Sequence, residues 1–186
     1  MKRVVIVHGA NGSPEENWFP WLKKELESKG IEVIIPQFPG GKDQNLEQWL
    51  KVFKAHQLDE DTILVGHSLG VAFILRLLEH SSCKVRACFL IAGFASRLNN
   101  KFDKITKTFI DSPFAWGTIQ KNCKKFFVYA SDNDPYVPMA KAEELGEKLH
   151  TTPILVKNAG HFNTAAGYTT FPLLLKDIMD ILGIKN

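Results

Sequence analysis

The sequence has little cysteine and no long hydrophobic run. Its three cysteines, Cys83, Cys88 and Cys123, are an odd number without C-x-x-C spacing, which argues against a disulfide framework or zinc site and suits reduced thiols in the cytoplasm. No segment approaches the roughly 20 apolar residues of a membrane-spanning helix, and the apolar run at Val4–Val7 is too short for a secretory signal. We therefore expect a cytoplasmic protein that does not insert into membranes.

A concentrated positive charge and a nucleotide-binding motif are also missing. The net charge of +3 comes from scattered lysines and arginines, whereas a nucleic-acid-binding protein presents a continuous basic face. The segment Gly9–Gly12 lacks the G-x-G-x-x-G pattern, and no P-loop occurs. We therefore expect neither a nucleic-acid partner nor a nucleotide cofactor.

What the sequence does contain is a regular alternation of strand-like and helix-like segments. Six runs of strand length read apolar on both faces, as buried parallel strands do. These runs are Arg3–His8, Ile31–Phe38, Thr62–His67, Val85–Gly93, Phe126–Ser131 and Pro153–Lys157. With short connections and no repeat or linker, the pattern predicts one α/β domain over residues 1–186, with a mostly parallel sheet of about six strands and helices on both faces.

Several helix starts are recognisable. In Ser13–Glu16, SPEE, a capping serine, a proline at the first helical position and a glutamate three residues after the cap predict a helix that Gly30 ends. The other predicted helices follow Asn45, open at Pro138, and run from Phe171-Pro172 to Leu182.

One region between the fourth and fifth strands interrupts this alternation. Residues 94–122 carry Phe102, Phe109, Phe114 and Trp116 without a clean period. The segment is either a small cap over the carboxyl edge of the sheet, where open α/β sheets bind ligands, or a helix with an ordinary surface loop.

The segment Gly66–Gly70, GHSLG, connects the third strand to a helical pattern. A G-x-S-x-G turn in this context holds its serine at a strained, exposed corner, and the flanking glycines avoid steric collisions. A serine hydroxyl is a weak nucleophile that needs an adjacent base and a third group to orient that base. We interpret Ser68 as a candidate nucleophile, with a purely structural turn as the alternative.

Candidate partners follow the fifth and sixth strands. The segments SDNDPYVP, residues 131–138, and NAGHF, residues 158–162, place an acid and then a histidine after the serine, in the order that an α/β-hydrolase shows. His161 is the predicted base. Asp134 is the predicted acid because of its Asp-x-x-Val-Pro frame; Asp132, the alternative, would then hydrogen-bond the turn or face solvent.

Acyl transfer also requires hydrogen-bond donors for an oxyanion. The predicted donors are the backbone N–H groups of Leu69 and of Ala10, which follows His8-Gly9 after the first strand, with Asn11 as the alternative to Ala10. His8 is expected to be structural, and His67 to point away from the serine. The predicted substrate-contacting residues are Asn11, Phe94, Trp116 and Phe162.

Together, the motifs VHGANGS, GHSLG, SDNDPYVP and NAGHF resemble those of the small single-domain α/β-hydrolases grouped with retinoblastoma-binding protein 9 and the bacterial YdeN-like serine hydrolases. The resemblance implies Ser68 as nucleophile, Asp134 as acid and His161 as base, with no metal and no organic cofactor. The vertebrate member is named for binding a retinoblastoma-type pocket through an L-x-C-x-E peptide. No cysteine here lies in that pattern, so this partner is not expected.

These observations predict a serine hydrolase, specifically a carboxylesterase for small or short-chain esters that forms an acyl-enzyme. Amide and thioester substrates remain open. Because a fold does not fix a function, the alternative is a binding or regulatory protein on a hydrolase scaffold, with weak or no turnover.

Overall fold

A computed structural model describes residues 2–184 as a six-stranded parallel sheet with helices on both faces. The strands are Arg3–Val7 (β1), Glu32–Ile34 (β2), Thr62–His67 (β3), Ala87–Ile91 (β4), Phe126–Ser131 (β5) and Ile154–Val156 (β6). The α-helices are Phe19–Glu27 (α1), Leu46–Phe53 (α2), Leu69–His80 (α3), Asp103–Ile110 (α4), Trp116–Lys121 (α5), Met139–Leu149 (α6) and Pro172–Leu182 (α7). The predicted α/β fold is confirmed.

The central strands are apolar on both faces because both faces are covered. Every residue of β3 and β4 is buried. Side chains of α1 and α7 pack on one face, and side chains of α2 to α6 pack on the other. Among residues 2–184, no helix is long and apolar enough to cross a lipid bilayer.

The two edge strands are shorter than the apolar runs that predict them. β2 pairs with β1, and β6 with β5, over three residues each. After β2 the chain leaves the sheet, and the Phe38 ring stacks on Trp49 with their centroids 4.6 Å apart. The end of this run therefore contributes to the core and not to the sheet.

Helix α1 begins later than the predicted start at Ser13. Asn17 has a φ of 55°, which a right-handed helix cannot contain, so the helix starts at Phe19. The other start signals are confirmed: Asn45 accepts from the Gln48 amide at 3.0 Å, and α6 and α7 begin next to their predicted prolines.

The strand order β2-β1-β3-β4-β5-β6 creates the crevice that holds the site. The chain leaves β1 toward one edge of the sheet and leaves β3 toward the other. The loops after these two strands therefore diverge, and they open a crevice at the carboxyl edge, where α/β proteins bind ligands.

Candidate active site

Ser68 lies in a strained turn between β3 and α3. Its φ of 55° and ψ of −120° are strongly disfavoured for a residue with a side chain. A Cβ atom on Gly70 would lie 2.3 Å from the Val7 carbonyl oxygen, and one on Gly66 would lie 2.8 Å from Ile74 Cδ1. Both glycines therefore allow α3 to pack closely on the sheet, as the G-x-S-x-G pattern predicts.

His161 is held by Asp134. The ring Nδ1 donates to Asp134 Oδ2 at 2.8 Å, and both side chains are almost fully buried. The other carboxylate oxygen accepts from the backbone N–H groups of Tyr136 and Val137 at 2.8 and 3.1 Å. With Nδ1 bound in this way, His161 Nε2 remains free to accept a proton from a hydroxyl.

The loop after β5 and the loop after β6 form a ladder of side-chain hydrogen bonds, in which residues 131–134 contact residues 158–161. Ser131 Oγ accepts from Ala159 N at 2.9 Å, Asp132 Oδ1 from Asn158 N at 2.8 Å, Asn133 Oδ1 from Gly160 N at 2.8 Å, and Asp134 Oδ2 from His161 Nδ1 at 2.8 Å. We call these eight residues the loop ladder. Asp132 therefore binds the backbone of the β6 loop, while Asp134 binds the imidazole.

The predicted oxyanion donors border the same crevice. In the described part of the chain, neither the Ala10 nor the Leu69 amide donates to another protein group. The Asn11 amide, by contrast, donates to Gln44 Oε1 at 2.6 Å. Because this hydrogen bond engages the Asn11 amide, it favours the Ala10 amide as the second oxyanion donor.

His8 fixes the position of the loop that follows β1. Its Nε2 accepts from the Phe38 amide at 3.0 Å and its Nδ1 donates to the Gly9 carbonyl at 2.8 Å. Burial lowers the pKa of His8, which agrees with a neutral ring. His8 therefore has the structural contacts expected from the sequence.

Ser68 and His161 line one cavity of about 360 Å³. Among residues 2–184, the Ser68 hydroxyl has no hydrogen-bond partner. In ligand-free sites the hydrogen bond between a nucleophile and its base is often long and tightens on substrate binding. A larger open depression of about 820 Å³ near α2 contains neither residue, so chemistry and not size identifies the site. The cavity is lined by Gly9, Ala10, Glu16, Asn17, His67, Ser68, Leu69, Phe94, Leu98, Lys101, Phe102, Thr106, Tyr136, Val137, His161 and Asn163.

Of the four predicted substrate-contacting residues, the described lining contains Phe94 but not Asn11, Trp116 or Phe162. Asn11 is exposed, and its side-chain oxygen accepts from the Gly41 amide at 2.8 Å. Trp116 packs beside Phe114 at the start of α5. Phe162 is fully buried and stacks on Phe171. Each of these three side chains is engaged elsewhere, so the structure does not favour a role in lining the cavity, and their contact with a substrate stays a prediction.

The structure adds residues to the cavity that sequence reasoning missed. The Tyr136 ring meets the His161 ring edge-on with their centroids 4.9 Å apart, and the Phe102 ring centroid lies 5.7 Å from that of Tyr136. Burial raises the pKa of Glu16, another lining residue. Tyr136 could have been found from its place between the candidate acid and the Val-Pro pair; the others depend on tertiary packing.

His67 is also closer to the site than predicted. The His67 ring packs against Trp18 and Phe19. These two residues lie on the same face of the sheet as Ala159 and Phe162, which belong to the loop after β6. The His67 Nε2 atom lies 2.8 Å from the His161 carbonyl oxygen. Nδ1 is buried without a hydrogen-bond partner among residues 2–184.

Acid will reduce the stability of this protein through His67. Burial and, secondarily, the proximity of His161 lower the pKa of His67 from 6.5 to about 3, against weaker opposite effects of the hydrogen bond to the His161 carbonyl and of Asp134. As the pH falls, the unfolded chain therefore binds the proton first. The stabilisation that the neutral ring provides is fully present above pH 6.5. As the pH falls from there toward 3, the free energy of unfolding decreases by up to about 1.4 kcal/mol per pH unit.

Urea unfolding between about pH 7 and pH 4 checks this expectation. The difference in unfolding free energy between wild type and His67→Gln should shrink as the pH falls. The variant His80→Gln, which changes an exposed histidine, should follow wild type in parallel. A pH-independent difference for His67→Gln would contradict the expected linkage.

Comparison with known proteins defines the class. The serine hydrolase family model matches residues 4–179, and the chain belongs to this family. YdeN of Bacillus subtilis is 34% identical over 177 residues, covering 93% of this chain and 92% of that protein. The serine hydrolase RBBP9 of Rattus norvegicus is 26% identical over 184 residues, covering 97% and 95%. The predicted family resemblance is therefore confirmed.

Solved structures agree with this assignment. The B. subtilis ydeN gene product superposes with a TM-score of 0.92 at 32% identity, covering 98% of this chain and 100% of that chain. Est1E from Butyrivibrio proteoclasticus shares the fold, with a TM-score of 0.73 at 16% identity over 97% of this chain and 86% of that one.

Among residues 2–184, no group of three or more His, Cys, Asp or Glu side chains could hold a metal ion.

Proposed function

We propose that this serine hydrolase is a carboxylesterase for small or short-chain esters. The observation that carries the proposal is that Ser68 and His161 line one cavity while His161 Nδ1 is bound to Asp134 at 2.8 Å. A nucleophile, a base and an orienting acid on the carboxyl edge of one sheet are the parts that acyl transfer requires.

In the proposed reaction, Ser68 Oγ attacks the ester carbonyl carbon while its proton passes to His161 Nε2. The carbonyl oxygen becomes an oxyanion, which the amides of Ala10 and Leu69 stabilise. Asp134 holds the imidazole and stabilises its positive charge. The bond to the leaving alcohol then breaks, and His161 returns the proton to that alcohol. Water, deprotonated by His161, finally cleaves the acyl-serine and releases the acid.

The cavity supports the substrate size. A volume of about 360 Å³ equals about a dozen water volumes of ~30 Å³ each, which is near the lower end for ligand pockets. Phe94, Leu98 and Phe102 provide an apolar side. A short acyl chain fits this space, whereas a long chain must extend into solvent and gains no further burial.

A panel of p-nitrophenyl esters, with acyl chains from two to twelve carbons, tests the proposal. We expect kcat/KM to be highest for short chains of about two to six carbons, and to fall roughly tenfold or more at twelve. An anilide and a thioester of the best acyl group define the preferred bond, and Ser68→Ala protein gives the background rate.

Two outcomes would contradict the proposal. A kcat/KM that rises with chain length, or that is higher for the anilide or the thioester, would exclude a short-chain carboxylesterase. Folded wild type that turns over no ester and forms no fluorophosphonate adduct at Ser68 would favour a binding or regulatory protein.

A further inference from the structure

His67 lies next to the candidate base, His161. It is 3% exposed, and its ring centroid is 4.9 Å from that of His161, at an interplanar angle of 55°. Its Nε2 is 2.8 Å from the His161 carbonyl oxygen. This bond connects the residue before the candidate nucleophile to the backbone of the candidate base.

The partner of His67 determines where its proton lies. A carbonyl oxygen only accepts hydrogen bonds, so Nε2 carries the proton and Nδ1 is an unprotonated acceptor. Burial keeps the ring neutral, with a pKa of about 3. A neutral ring matters here because His161 becomes positively charged in the proposed reaction, and a second charge beside it would oppose that change.

The backbone around His161 needs such support. Asn158 and Phe162 have φ values of 57° and 50°, a conformation that costs free energy in residues with side chains. On one side, the loop ladder accepts from the amides of residues 158–160. On the other side, two buried rings donate to the next two carbonyls: His67 to His161, and Trp18 Nε1 to Phe162 at 3.0 Å.

We propose that His67 is a positioning residue: its Nε2–H holds the His161 backbone so that the imidazole stays between Asp134 and Ser68. The kinetic part of this proposal rests on the proposed function. A histidine that served only as core packing could be replaced by an apolar side chain without a change in turnover.

Two substitutions separate the hydrogen bond from packing. His67→Leu fills the site without a donor, whereas His67→Gln places an amide donor near the position of Nε2. We expect His67→Leu to lower kcat on the best ester about 10- to 100-fold with little change in KM, because small displacements of a catalytic group have effects of this size. His67→Gln should recover most of that loss. The control Phe19→Leu removes packing against the His67 ring and should keep the wild-type kcat.

An NMR measurement tests the same geometry without any substrate. The Nδ1 proton of His161, held by Asp134, should give a low-field resonance in wild type and in His67→Gln, and that resonance should be lost in His67→Leu. Thermal unfolding identifies a temperature at which each variant is folded; if His67→Leu does not fold, His67→Met takes its place.

The outcomes are distinct for the two proposals. Equal kcat values and equal resonances in the Leu, Gln and wild-type proteins would overturn the role of His67, as would equal losses in Leu and Gln. If wild type hydrolyses no ester, the proposed function fails, while the resonance still decides whether His67 positions His161.

Discussion

Replacing Ser68 with alanine will lower ester hydrolysis about 10⁴-fold or more, and it will abolish labelling by a fluorophosphonate. In the proposed reaction the Ser68 hydroxyl forms the acyl-enzyme, and loss of a serine nucleophile has effects of this size. Ser68→Gly should be equally inactive. The remaining activity is measured with the best p-nitrophenyl ester, and the adduct by mass spectrometry.

The two variants should differ in stability. With φ at 55° and ψ at −120°, residue 68 is in a conformation that glycine adopts readily and alanine does not. We expect Ser68→Gly to be about 1 kcal/mol more stable than Ser68→Ala in urea unfolding. Equal stability of the two variants would show that the turn is relaxed in solution. Fluorophosphonate labelling of the Ser68→Ala protein would show that the nucleophile is a different residue.

Asp134→Asn is expected to have the second-largest effect, a fall in kcat of up to about 10⁴-fold. An asparagine can donate its amide hydrogen to His161 Nδ1, which moves the ring proton to Nε2, where it prevents proton acceptance from Ser68. Asp134 is buried and its carboxylate also accepts two backbone amides, so circular dichroism and unfolding must show that the variant is folded.

Asp132→Asn is the matched control for this substitution. It lies two residues away on the same loop, and its side-chain oxygen can still accept from the Asn158 amide. We expect its kcat to stay within about threefold of wild type, because a hydrogen bond of an exposed side chain contributes little. The reverse ranking of the two variants would assign the acid role to Asp132.

The sequence predicted the bounds of β3 and β5 correctly and the extent of the other strands less well. Thr62–His67 has the same bounds in the structure because its residues are buried on both faces and paired on both sides. The edge strands, β4 and the start of α1 were wrong in extent: β4 spans Ala87–Ile91 within the predicted run Val85–Gly93. The bounds of the edge strands depend on a single neighbouring strand, and the start of α1 depends on the backbone of Asn17, which an apolar pattern does not reveal.

Chain order also located much of the candidate site, because the ends of parallel strands meet at one edge. The Asp-x-x-Val-Pro frame favoured Asp134 over Asp132, and in the structure Asp134 is the carboxylate bound to His161; the catalytic roles of these residues stay predictions. The cavity walls could not be predicted in the same way. Phe162 has a positive φ, and its side chain stacks on Phe171 in the core, while Trp116 packs beside Phe114. An apolar sequence pattern reveals neither arrangement.

The loop ladder has a consequence for protein engineering. Each of residues 131–134 forms a hydrogen bond with one of residues 158–161. An insertion or deletion in either loop would therefore misalign these pairs. Variants with altered acyl preference are therefore best sought in residues 94–106, several of which border the cavity and none of which belongs to the ladder. Libraries restricted to that segment would vary the shape of the pocket and leave the reacting groups in place.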